Sequence, residues 1–117
     1  MSWKVVYFVT PSGDNPIEDF LVSLESASRA KILRVFQHIR EFGLQSVVSH
    51  LRKLEGSSFW EVRILGRDNI RTIYIVPLPQ TVLVLHGFVK KSEKTPIKQL
   101  TISENRYKIW KELNLDN

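Results

Sequence analysis

Arg63, Arg71, His86, Lys90, Lys91 and Lys94 are the side chains whose types and spacing point most directly to chemistry. An arginine fork binds a phosphate through two parallel hydrogen bonds. A pentacovalent phosphorane carries more charge than the ground state, so fixed cations stabilise it preferentially. Imidazole exchanges protons near neutral pH. Each cation alone also fits a solubility charge, and a histidine in an apolar strand is more often structural. The grouping of Arg63, Arg71, Lys90, Lys91 and Lys94 is what points to an anionic, phosphate-bearing partner.

The charge is unevenly placed. Residues 1–46 carry five cations and five anions, whereas residues 47–117 carry twelve cations against seven anions and so hold the whole net charge of +5. There is no cysteine among the 117 residues, which excludes disulfides, thiol nucleophiles and iron–sulfur clusters. His38, His50 and His86 form no pair at ligand spacing, so neither a metal nor any other cofactor is expected. Gly-x-Ser-x-Gly, Walker and dinucleotide-binding patterns are missing as well. No apolar run approaches the roughly 20 residues of a membrane span, and a cytoplasmic protein with no membrane partner is expected.

The elements that must position these residues follow from periodicity. Trp3–Val9 alternates and is rich in β-branched and aromatic residues, so it reads as a strand. Asn15 is placed to cap a short helix with Pro16 at its first position and Glu18 three residues on. Ile32, Val35, Phe36, Ile39 and Phe42 recur at helical steps, giving a second helix over 28–42 that Gly43 closes. Residues 44–56 are irregular. Three strands follow, Phe59–Leu65, Ile70–Val76 and Thr81–Phe88, whose short turn-rich gaps imply an antiparallel meander. Both alternating sets of the third are aliphatic, the mark of a strand covered on two faces. Thr95 and Pro96 open a last helix, with Leu100, Tyr107, Trp110 and Leu113 on one stripe. The order is β-α-α-β-β-β-α over one domain, 1–117. It is an α+β fold with a mostly antiparallel four-stranded sheet and helices packed on it.

Certain blocks resemble a known group. Leu54-Glu55-Gly56, Phe59-Trp60-Glu61-Val62-Arg63, Arg71-Thr72-Ile73-Tyr74 and Leu85-His86-Gly87-Phe88, with Lys90-Lys91 and Lys94-Thr95-Pro96, resemble the phage-derived HigB-like toxins of the RelE/ParE toxin–antitoxin superfamily. The resemblance implies a RelE-like fold and a metal-independent endoribonuclease. Such a toxin cuts mRNA, typically on the ribosome, by attack of the ribose 2′-hydroxyl on the adjacent phosphate. It also implies a neutralising antitoxin, typically a HigA-like helix-turn-helix protein. Arg63, Arg71, Lys91 and His86 are then the expected catalytic residues, and Lys53, Lys90 and Lys94 the RNA-binding ones. Two alternatives stay open: a ParE-like gyrase inhibitor, and a non-catalytic module that binds nucleic acid or a partner.

Overall fold

The computed structural model describes residues 2–66, 68–91 and 95–114. Its elements are β1 (Lys4–Tyr7), α1 (Pro16–Ser23), α2 (Ser26–Phe42), a 3-10 helix (Leu44–His50), β2 (Leu51–Lys53), β3 (Trp60–Ile64), β4 (Ile70–Leu78), β5 (Thr81–Val89) and α3 (Ile97–Asn114). The architecture is α+β. The strands form one sheet in the order β1-β5-β4-β3-β2, with β1 parallel to β5 and every other pair antiparallel.

The sheet therefore has five strands where four were expected, and it is mixed. The extra strand, β2, arises inside the stretch read as irregular. Three residues are too few for alternation to register in the sequence, and pairing with β3 makes the strand. The meander itself falls where the alternation put it.

Local chemistry explains the helical half. The Asn15 side-chain oxygen accepts the Glu18 N–H at 3.0 Å, and Pro16 opens α1. The guanidinium of Arg29, on the following helix, donates to the carbonyls of Leu21 at 2.9 Å and Leu24 at 2.8 Å. Those carbonyls lie at the C-terminus of α1, where acceptors outnumber backbone donors, so Arg29 locks the αα-hairpin. Gly43 ends α2 at φ 84°, and its N–H donates to the Ile39 carbonyl at 2.8 Å. A Cβ there would lie 2.8 Å from the Trp3 indole nitrogen, so both backbone sign and space demand glycine.

Two cores lie on opposite faces of the sheet. On one, α1, α2 and the 3-10 helix bury Ile17, Leu21, Ile32, Phe36 and Ile39 against Val62, Ile70, Tyr74, Val82 and Val84. On the other, α3 packs Leu100, Tyr107 and Trp110 toward Phe8, Phe59, Leu83 and Leu85. Strand β5 is covered on both sides, as its two aliphatic sets imply. Leu113, expected on the packing stripe of α3, is exposed because the helix runs past the sheet by then.

One irregularity positions the site. Ile73 faces His86 but Tyr74 faces Val84, so Leu85 is an extra residue in β5. Beyond that bulge the alternation changes sign. His86 and Phe88 turn toward α3, and Gly87 turns toward α1, where a Cβ would sit 2.3 Å from the Phe20 ring.

Candidate functional site

Alternation on β3 sends Val62 and Ile64 into the α1/α2 core, and Glu61 and Arg63 to the α3 side of the sheet. Register supplies the neighbours on that side. Arg52 of β2 stands opposite Glu61, and Arg71 of β4 stands directly opposite Arg63. Two arginines across a strand pair repel one another. Lys90, just past β5, joins the same group: its amine interacts electrostatically with Glu61, Arg71, Arg52 and Arg63.

A buried carboxylate holds this cluster together. Glu61 is 0% exposed. Its Oε2 accepts a 2.6 Å hydrogen bond from Thr95 Oγ1, and its Oε1 lies 3.6 Å from Arg71 Nε. Arg71 is itself buried and donates through Nη1 to the Ile70 carbonyl at 3.0 Å. The Nε atoms of Arg63 and Arg71 are buried without a hydrogen-bond acceptor among the described residues. Four cations thus surround one anion, leaving an excess of positive charge and donors on a partly covered face.

Burial has an electrostatic cost. It holds the Lys90 amine below the usual lysine range; Glu61 opposes that shift, while the arginines reinforce it. Burial likewise lowers the pKa of Arg71, again opposed by Glu61. An arginine stays charged through any such shift, whereas a lysine so placed gains access to its neutral form.

His86 occupies a different niche. Its Nε2 hydrogen-bonds the Gln99 side-chain oxygen, and its Nδ1 accepts from Arg106 Nη1 at 3.3 Å. The ring stacks on Phe88 with centroids 5.6 Å apart. Burial, with Arg106 and Lys98 nearby, pushes the imidazole pKa down, so it is held neutral. Arg106 also donates to the Leu85 carbonyl at 2.9 Å and lies 5.7 Å over the Phe8 ring. These contacts fasten α3 to β5 at the bulge.

The structure therefore brings Arg63, Arg71 and Lys90 together and adds Arg52, Glu61 and Thr95. His86 has both ring nitrogens engaged with α3. Lys91 is exposed one residue beyond Lys90. Lys53 does not join: it pairs with Trp60, which puts it on the opposite face, and its amine donates to the carbonyls of Leu54, at 3.3 Å, and Ser57. Lys94 lies outside the described residues. Glu61 could have been singled out earlier, since its parity with Arg63 in an otherwise apolar strand already sets it beside the arginines. Arg52 had no such signal without β2. Among the described residues no group of three or more His, Asp or Glu could hold a metal ion, and no helix is long and apolar enough to cross a membrane.

The model of the phage-derived Gp49-like protein family (DUF891) matches residues 19–108, which include every residue of the cation cluster. The chain belongs to this family. Gp49-like proteins are a RelE/ParE-like toxin family, and the theme of a toxin with an antitoxin partner comes with that membership. No curated protein matches the Gp49-like chain.

Proposed function

We propose that this Gp49-like protein is the toxin of a type II toxin–antitoxin pair and acts as a metal-independent endoribonuclease on mRNA. The observation that carries the reading is the cluster of Arg52, Arg63, Arg71 and Lys90 around buried Glu61. It offers preorganised charge to a phosphodiester on a face that α3 only partly covers.

In the reaction so assigned, the ribose 2′-oxygen attacks the adjacent phosphorus as its proton leaves. The new O–P bond replaces the bond to the 5′-oxygen, giving a 2′,3′-cyclic phosphate and a free 5′-hydroxyl. Arg63 and Arg71 bind the non-bridging oxygens, where negative charge grows. Lys90 receives the 2′-hydroxyl proton, a role favoured by its lowered pKa. Lys91, exposed beside it, protonates the departing 5′-oxygen. Glu61 touches no substrate in this scheme; it holds Arg71 and Lys90 in place. His86 positions α3 instead of moving a proton, because both its nitrogens are engaged.

A site with few proton-transfer groups depends on its substrate being presented in line, and orientation alone lowers such a barrier by several kcal/mol. Ribosome-bound message is therefore the expected substrate, held in place by the decoding site, and naked RNA should be cut slowly. A HigA-like antitoxin is the expected neutralising partner.

The test is inducible expression, with mapping of message ends and of plasmid supercoiling. Cuts within translated messages, reduced about 10²–10³-fold by Arg63→Ala or Arg71→Ala, are expected. Arg63 is only half-buried, so its variant reports on chemistry even if the Arg71 variant unfolds. Intact messages with a supercoiling defect would support gyrase inhibition instead, and binding without toxicity would leave a docking module.

A further inference from the structure

On the sheet face opposite the cation cluster, a cleft of about 550 Å³ opens between α2, the 3-10 helix and the end of β3. It shares Arg63 with the reaction proposed above and otherwise draws on different residues. Lys31, Arg34 and His38, three and four residues apart on α2, form one wall, and Val35, Val47 and Leu65 supply apolar lining. No carboxylate lines it among the described residues.

A second observation concerns the rim. Phe42, the next turn of the same α2 stripe, is 67% exposed and packs edge-on against His38 at 5.9 Å. Val48 is 68% exposed between two lining residues, Val47 and Ser49, and Leu65 is 64% exposed. Large apolar side chains displayed beside a concave cationic wall mark an interaction site more than a solvated surface.

We infer that this cleft is the docking site for an acidic segment with aliphatic side chains, carried by a protein partner. Charge complementarity calls for carboxylates opposite Lys31 and Arg34, and the apolar lining calls for an aliphatic anchor. RNA suits the site less well. Its bases need flat aromatic platforms, yet no Phe, Tyr or Trp lines the cleft, and the His50 ring is tied to the Arg63 carbonyl at 3.2 Å. A sugar–phosphate chain would also leave the aliphatic lining unused. Of the cation cluster Arg63 alone also lines this cleft, so a segment seated here leaves Arg52 and Arg71 open.

The probe is a short fluorescent peptide of alternating glutamate and leucine, titrated against the full chain by anisotropy. An all-glutamate peptide and oligouridylate of equal charge serve as comparisons. The glutamate–leucine peptide is expected to bind about tenfold or more weakly to the Lys31→Glu/Arg34→Glu double variant, and equally well to Arg52→Ala. Amide NMR shifts are expected at Val47 and Leu65. Both charge changes lie on exposed helix positions, and thermal melting checks that the variant is folded. Failure of the peptide to bind overturns the inference, as does undiminished binding to the double variant. Equal binding of the all-glutamate peptide removes the aliphatic anchor and overturns it too. Oligouridylate that binds here in a Lys31- and Arg34-dependent way replaces the protein partner with nucleic acid. None of these outcomes depends on whether the opposite face cleaves RNA.

Discussion

The two faces of the sheet are built on different principles. Under α1 and α2 the strands present Val62, Ile70, Tyr74, Val82 and Val84 to a layer of apolar side chains. On the other face α3 lies along β5, and the β2–β3–β4 end beside it carries Arg52, Glu61, Arg63 and Arg71. The first face is stabilised by burial of apolar area, which is non-directional and tolerant. The second depends on one carboxylate compensating several cations in a low-dielectric setting, where removal of a single partner is costly. The apolar layer should tolerate repacking, while in the charged one stability and the proposed activity would rest on the same atoms.

The largest effect should come from Glu61→Ala. It leaves Arg71 and Lys90 buried without their counter-charge, and a loss of about 3–5 kcal/mol in urea unfolding is expected. A neutral result would break the contrast, since the charged end would then stand without its anion. On the opposite face, Gly87→Ala drives a methyl group into Phe20 and should cost about 1–3 kcal/mol. Combining it with Phe20→Ala should cost less than the sum of the two single changes, measured as a double-mutant cycle. Asn15→Ala removes the cap of α1 and should cost about 1 kcal/mol by the same assay, with the charged face unaffected.

The smallest effect is a pH dependence at the boundary between the layers. Burial lowers the folded-state pKa of His86 from its ordinary value of 6.5, so below that value the unfolded chain binds more protons than the folded one. Its contribution is therefore present at neutral pH and fades as pH falls through the folded value. Wild type should lose more stability between about pH 7 and pH 5 than His86→Gln does, and parallel curves would detach the imidazole from the α3 contact.

Local signals were legible in the sequence. The Asn15 cap, the Gly43 stop and the three meander strands each rest on a few adjacent residues, and the structure has them. What escaped was non-local. Strand β2 exists only because Leu51–Lys53 finds the register of β3. Arg52 joins the cation cluster through that register, whereas Lys53, one residue on, faces away. His86 looked like a free acid–base group because its partners Gln99 and Arg106 come from α3, 13 and 20 residues later. Pairing places Arg52, Arg63 and Arg71 together on one face of the sheet.

The bulge at Leu85 acts as a phase shift in β5. A strand with strict two-residue periodicity would carry His86 to the α1 side and Gly87 to the α3 side. One inserted residue exchanges them, so an imidazole meets hydrogen-bonding partners and a hydrogen atom meets a phenyl ring. Were β5 to alternate strictly at its present length, without the bulge, no side chain would change, yet His86 would be pressed into Phe20 and Gln99 and Arg106 would face a glycine. Lys90 would change sides with them. In this protein the position of a single unpaired residue decides which of two surfaces receives His86 and Lys90.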